Sequence, residues 1–234
     1  MRWFGLLVAV VMVSGAVCVS VSYAITPKEL NERIAACNKT LMNMTESKNS
    51  RIPKVLLSRC KGIAIFPNVL KASVVFGLSL GNGVVLKRGE KDQAWSKPAF
   101  FSIRGGSIGV QAGAEYFDLI LLFMNEAGIE GLLEDKYTLG ADIAVSAGPI
   151  SRKVSKDTTT RFDSGILTYS QTKGFFAGIS VKGTALKPDS EANTAFYGKG
   201  VSVQDILYDG VEGTSEESQT LVQKLTDLSK QIPK

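Results

Sequence analysis

The stretch Trp95-Ser-Lys-Pro-Ala-Phe-Phe-Ser-Ile-Arg-Gly-Gly-Ser-Ile-Gly-Val-Gln-Ala-Gly-Ala-Glu-Tyr-Phe-Asp-Leu-Ile-Leu-Leu-Phe-Met124 alternates like β-strand and does not repeat at helical spacing. In its middle, one side of the strand pattern has almost no side-chain bulk, because it is formed by Ser107, Gly109, Gln111 and Gly113. Glycine weakens the interior of a strand and usually marks the close approach of another backbone or a ligand. The stretch therefore predicts closely packed strands at the centre of a sheet, and it contains no recognisable catalytic motif.

Helical patterns flank the strands at both ends of the chain. Thr26-Pro-Lys-Glu29 is a capping box with proline at the first helical position, and an apolar stripe at helical spacing follows it. Thr214-Ser-Glu-Glu217 is a second capping box before a leucine stripe. Between them, Asn82-Gly83 is the strongest hairpin-turn signal, and Asn125 is a plausible helix N-cap. This order predicts an α+β fold, with a strongly bent antiparallel sheet or partial barrel and helices at the N- and C-terminal ends.

Residues 1–24 have the pattern of a signal peptide. Arg2 precedes an apolar run over residues 4–13, and small residues precede the predicted cleavage after Ala24. We therefore expect an exported protein, periplasmic or secreted, with a single domain over residues 25–234. An uncleaved anchor is the alternative, because about 22 mostly apolar residues are long enough to span a membrane. A lipoprotein anchored at Cys18 is disfavoured by Val17, which fits poorly before a lipidated cysteine.

Two cysteines, Cys37 and Cys60, remain after the predicted cleavage. An oxidising compartment and an even cysteine count predict a disulfide between them. Closing a loop of roughly 20 residues would stabilise the chain by about 3 kcal/mol in the chain-entropy description. Two buried thiols are the alternative interpretation.

Composition excludes several classes of chemistry. The chain contains no histidine, which removes Ser-His-Asp and Cys-His catalysis and histidine-ligated zinc. Asp118 and Asp142 lie in apolar strand patterns, but carboxylates at strand ends more often form salt bridges or face water than act as acid and base. Gly105-Gly-Ser-Ile-Gly109 lacks the spacing of a phosphate-binding loop. We expect no enzyme activity, no metal and no cofactor.

Basic residues crowd the first third of the predicted mature chain. Only Glu29, Glu32 and Glu46 oppose them there. The net charge of +5 and a pI near 9.0 suit anionic lipid headgroups, while the dense clusters typical of nucleic-acid binding are missing. A basic amphipathic helix is a common way to lie on an anionic membrane, and a solvated helix face is the alternative. The candidate lipid-binding residues are Lys28, Arg33, Lys39, Lys48, Arg51, Lys54, Arg59, Lys61 and Lys71.

Several blocks of this sequence resemble the SYLF family. They include Lys61-Gly-Ile-Ala-Ile-Phe-Pro-Asn68 and the region from Trp95 to Leu133, with further matches at 138–149, 174–180 and 196–198. The best-studied members of this family bind membrane lipids and, in fungi, actin. The resemblance implies a non-enzymatic protein at the anionic phospholipid membrane surface, with lipid binding by the N-terminal amphipathic region.

Two other functions remain compatible with the sequence. One is an envelope structural or protein-interaction module, which an exposed apolar patch without a basic rim would favour. The other is a carrier for one acyl chain, which needs an enclosed apolar cavity of roughly 300 Å³ or more. Neither a protein partner nor an oligomeric state can be assigned from the sequence.

Overall fold

One curled sheet organises the computed structural model, which describes residues 25–46, 52–73, 76–90, 94–108, 113–149, 165–172, 175–176 and 181–230. The predicted leader at 1–24 lies outside the described residues. Within them, nine strands pair in the order β5-β9-β3-β2-β1-β4-β7-β6, with β8 on β7, and only the β6–β7 pair is parallel. The curl forms a half-barrel, which confirms the predicted fold class. The strands are β1 Gly62–Ser73, β2 Phe76–Lys87, β3 Ala99–Ile108, β4 Gly113–Phe123, β5 Tyr137–Thr138, β6 Val145–Ala147, β7 Ile166–Thr172, β8 Phe175–Phe176 and β9 Thr184–Pro188.

Helices begin at the predicted caps or within one residue of them. Thr26 and Glu29 form the predicted capping box at the start of the first helix, and Asn125 accepts the Gly128 N–H at the start of the third. The last helix begins one residue later than the second predicted capping box implies, because Ser215 and not Thr214 accepts an N–H of its first turn, that of Ser218. The helices are α1 Pro27–Thr45, α2 Lys54–Leu57, α3 Glu126–Glu130, α4 Ser190–Tyr197 and α5 Glu216–Lys230, with a 3₁₀ turn at Gly131–Leu133 and a π-helix at Asp205–Asp209.

Both faces of the sheet are packed. On one face, α1, α2 and α5 cover alternate strand residues such as Ile63, Ile65 and Phe100. The leucine stripe of α5 belongs to the same core. On the other face, α3, the 3₁₀ turn and the π-helix cover residues such as Phe101 and Phe123. The period-2 alternation of the strands sends successive side chains to the two faces, so one sheet supports two cores.

The predicted hairpin at Asn82-Gly83 is wrong, because β2 runs through both residues, which pair with Ser102 and Phe101 of β3. The glycine is needed for another reason. The pairing of β1 with β2 and with β4 shifts register around Asn68, whose φ of 51° marks a β-bulge. A Cβ on Gly83 would lie 2.1 Å from the carbonyl oxygen of Ile65. Close approach of two backbones therefore explains this glycine, and a turn does not.

The structure does not contain the predicted disulfide between Cys37 and Cys60, because both are free, buried thiols. The thiol of Cys37 lies on α1 and donates to the Ile65 carbonyl at 3.5 Å, whereas that of Cys60 donates to the Leu57 carbonyl at 3.3 Å. Each thiol packs in the apolar core as a small hydrophobic side chain. An even cysteine count does not establish that two side chains meet, since pairing depends on where the helices place them.

We expect both thiols to be inert in the folded protein. Burial raises the pKa of Cys37 and of Cys60 to about 12, so neither is a thiolate at neutral pH. Iodoacetamide at pH 8 should alkylate both only after urea unfolding, and reduction should leave the intact mass unchanged. Loss of mass by two hydrogens in the unreduced protein, or rapid alkylation without urea, contradicts this.

Candidate functional site

A groove of about 480 Å³ lies between α1 and the distal half of the central strands, by which we mean the half toward the end of β1 at Ser73 and the start of β2 at Phe76. Its walls come from four elements that are distant in sequence. Helix α1 supplies Arg33 and Ala36, and the bulge of β1 supplies Pro67 and Asn68. The lining contains two arginines and no carboxylate, which fits an anion. The remaining lining residues come from β2 and β3: Leu80, Gly81, Asn82, Ile103 and Arg104.

Arg33 is fixed in place on the groove wall. Its Nη1 donates to Asp189 Oδ2 at 2.8 Å, and its guanidinium lies 5.6 Å from the centre of the Phe100 ring. Asp189 is also the N-cap of α4, where it accepts the Ala192 N–H. Asp189 pairs with Arg33, but a guanidinium has five donors, so others remain to bind an anion.

Arg104 supplies the exposed charge of the groove. It lies on β3 opposite Leu80 of β2, and it has no ion pair among the residues that the structure describes. The bulge beside it is held by the Asn68 N–H, which donates to Asp118 Oδ1 at 2.9 Å. The groove therefore combines the fixed guanidinium of Arg33 and the exposed guanidinium of Arg104 with the β1 bulge at Asn68.

Of the basic residues predicted to bind lipid that the structure describes, only Arg33 lines the groove, and the others lie on or beside α1, α2 and β1. Lys28 and Lys39 are exposed on α1, where Lys28 lies 4.0 Å from Glu32, and Arg33 faces the groove. Lys71 is half-buried near the distal end of β1. Lys54 and Arg59 are exposed on and after α2, while Lys48 and Arg51 lie outside the described residues.

Helix α1 has no fully exposed large apolar side chain that could insert into a membrane. Its stripe is fully buried in the core, and its exposed residues are polar, charged or small. The amphipathic pattern therefore reflects packing on the sheet. The buried stripe is Leu30, Ile34, Cys37, Leu41 and Met44.

Lys61 belongs to a separate charged cluster on the face that α3 covers. Its Nζ lies 3.7 Å from Glu126 Oε1, and Lys87 Nζ lies 3.6 Å from Glu126 Oε2. Lys87 is only 9% exposed and also lies 4.7 Å above the Tyr208 ring of the π-helix. Burial, with help from Glu126 and Glu130, raises the pKa of Tyr208 to about 12, so its phenol stays neutral. We interpret this cluster as structural, because one carboxylate compensates a buried ammonium.

The carboxylates in strand regions have local roles. Asp118 accepts the bulge N–H, and Asp142 accepts the Thr138 N–H at 2.6 Å. Among the described residues, no group of histidine, cysteine and acidic side chains has the arrangement of a metal site. Within the same residues, no helix has the length and apolar character needed to cross a bilayer.

Sequence reasoning missed Arg104. Its neighbours Gly105 and Gly106 predict tight strand packing, and a single arginine in a strand is no signal of a binding site by itself. Only the strand pairing brings Arg104 beside Leu80 and, across the groove, Arg33.

Comparison with known proteins identifies clear relatives. A family model described as "Ysc84: Las17-binding protein actin regulator" matches residues 104–228. Protein YSC84 of Saccharomyces cerevisiae is 37% identical over 159 residues, which make up 67% of this chain and 34% of the yeast protein. SH3 domain-containing YSC84-like protein 1 of Bos taurus is 31% identical over 188 residues, 78% of this chain and 54% of the bovine protein. The chain thus spans about a third of the yeast relative and about half of the bovine one.

Proposed function

Because the chain belongs to the Ysc84 family, also known as SYLF, we propose that it is a non-enzymatic protein that binds anionic, phosphate-bearing membrane lipids. The observation that supports this most directly is the groove between Arg33 and Arg104. Guanidinium groups bind phosphate oxygens by paired, charge-assisted hydrogen bonds. The family description names binding and regulation and names no reaction, in keeping with a binding role.

The chemistry of the groove favours a headgroup over an acyl chain. Its walls contain two arginines and two asparagines beside a few apolar groups, so it does not provide the enclosed apolar cavity that an acyl-chain carrier needs. The exposed Lys28 and Lys39 on the neighbouring helix would add to the attraction of an anionic surface. Export through residues 1–24 belongs to the same proposal, and a purified protein that begins at Ile25 would support it.

A protein partner is the second candidate function, and the names of relatives favour it. One relative in Saccharomyces cerevisiae is named LAS seventeen-binding protein 3, and it is 35% identical over 159 residues of this chain. Native mass spectrometry of the protein purified from its own source separates the two functions. A retained phospholipid mass supports the first, and a retained polypeptide supports the second.

Vesicle sedimentation tests the lipid proposal. We expect binding to vesicles that contain phosphatidylglycerol, little binding to pure phosphatidylcholine, and progressive loss between 50 and 500 mM NaCl, because salt screens charge. Arg104→Gln should weaken the binding by about 1 kcal/mol, roughly fivefold, the contribution of one basic side chain near an anionic surface.

Lys136→Gln is the matched control, because it removes one exposed positive charge from the loop before β5, outside the groove. It should leave vesicle binding within about twofold of the wild type. Equal and salt-insensitive binding to both vesicle types, or equal losses in the two variants, would remove the groove from the mechanism.

A further inference from the structure

A row of four side chains crosses the distal half of the sheet beside the groove. Arg104 on β3 pairs with Leu80 on β2, Leu80 pairs with Leu70 on β1, and Leu70 pairs with Tyr116 on β4. Directly paired residues of antiparallel strands point to the same face. Leu80 and Arg104 line the groove with Arg33 of α1, so this is the face that α1 covers farther along the sheet.

This row is partly uncovered, because Leu80 at the groove and Tyr116 on β4 are exposed, while Leu70 between them is half-buried. Tyr116 is 61% exposed and Leu80 is 38% exposed, and with Leu133 they are the exposed large hydrophobic residues of the described chain. Two of these three thus lie in one row. The first four residues of β4, Gly113 to Tyr116, are exposed, and a Cβ on Gly113 would meet no atom within 4 Å. The start of β4 therefore projects past both packed cores.

The positive charge of Arg104 indicates that this surface contacts an anionic partner. Arg104 ends the row, and two acids near the groove are engaged elsewhere, Asp189 by Arg33 and Asp118 by the Asn68 N–H. Glu115 pairs with Lys71 on the opposite face of the sheet. An apolar row with a tyrosine and an arginine that has no ion pair among the described residues matches the interface of an anionic bilayer, where aromatic rings and arginine side chains lie between tails and phosphates.

We propose that the row of Arg104, Leu80, Leu70 and Tyr116 is the surface that enters the headgroup layer of an anionic phospholipid membrane. This inference rests on the lipid binding proposed above and specifies its geometry. The lipid phosphate lies between Arg33 and Arg104, and the ring of Tyr116 reaches the glycerol level. Helix α1 stays above the membrane, because its apolar stripe is buried in the core.

A position-specific fluorophore tests this orientation. Single cysteines replace Tyr116, Lys39 or Lys136 in the full chain that also has Cys18→Ser, and each is labelled with nitrobenzoxadiazole. The native Cys37 and Cys60 are buried and stay unlabelled. With phosphatidylglycerol vesicles, we expect a blue shift and at least a twofold rise in emission at position 116, with quenching by lipids spin-labelled near the headgroup. The labels at position 39, on the outer face of α1, and at position 136 should change little.

Sedimentation of the same labelled proteins separates the two proposals. If they do not sediment with anionic vesicles, lipid binding itself fails. If they sediment, but the label responds at position 39 and not at 116, lipid binding stands and the proposed orientation is overturned. A label at 116 that responds to a protein partner and never to vesicles also overturns it.

Removal of the apolar contact gives a second readout. Tyr116→Ser should weaken vesicle binding about tenfold, the effect of withdrawing one partly buried aromatic side chain from an apolar phase. This loss should persist in high salt, unlike that of Arg104→Gln. Because Tyr116 is exposed, urea unfolding should be unchanged, and unaltered vesicle binding by this variant counts against the proposal.

Discussion

Replacing Gly83 with alanine is expected to destabilise the protein by about 3 kcal/mol, at the upper end of the range for overpacking a filled core. The new Cβ would lie 2.1 Å from Ile65 O and 2.7 Å from a ring carbon of Phe66. Backbone cannot yield as a flexible side chain does, so β1 and β2 must separate beside the bulge. Urea unfolding followed by circular dichroism measures the loss.

Gly113→Ala is the matched control, because Gly113 is also a strand glycine but its Cβ would meet no atom within 4 Å. Alanine there should be neutral, or stabilise by about 0.5 kcal/mol, because glycine loses more chain entropy on folding. If Gly83→Ala unfolds at the same urea concentration as Gly113→Ala, the close approach of β1 and β2 at the bulge is wrong.

Replacing Glu126 with glutamine is expected to destabilise the protein by about 3 kcal/mol, because it leaves a buried ammonium without its carboxylate. Lys87 is 9% exposed and Lys61 is 40% exposed, so Lys87 bears most of the cost. The expected loss lies at the low end of the range for buried pairs, because Glu126 is 26% exposed and water can reach it. The free energy of unfolding at pH 7 is the measurement.

A second substitution identifies the cause. Lys87→Met added to Glu126→Gln removes the uncompensated charge and should recover about 2 kcal/mol, because an apolar side chain tolerates the same site. Loss of the Tyr208 contact limits the recovery. A Glu126→Gln variant within about 0.5 kcal/mol of the wild type, the range of ordinary surface substitutions, would show that the ion cluster is unimportant.

Local signals in the sequence predicted the helices well. The capping box at Thr26 and the N-cap at Asn125 appear as expected, because such caps depend on residues only three positions apart. Local signals gave wrong predictions where the same residue type occurs in two different structural roles. Asn82-Gly83 has the composition of a turn, yet its glycine accommodates the backbone of β1. Two cysteines suggested a bridge, yet their thiols bond to different carbonyls.

The candidate site was far less accessible to sequence reasoning. Of the predicted basic residues that the structure describes, only Arg33 lines the groove, and Arg104 is not among the predicted ones. The apolar row joins residues from four strands, and nothing in the local pattern of any one strand marks them. A register shifted by one residue would turn each of these side chains to the other face.

By itself, the sequence determined the α+β class, the apolar faces and starts of the terminal helices, the absence of histidine chemistry and the family. Periodicity, capping and composition act over a few neighbouring residues, so one chain displays them directly. The tertiary structure alone decided which basic groups face a common groove, that the stripe of α1 is used for packing, and that Leu80 and Tyr116 stay uncovered. Those properties depend on strand register and on which surfaces meet, which are set by contacts between residues far apart in the chain.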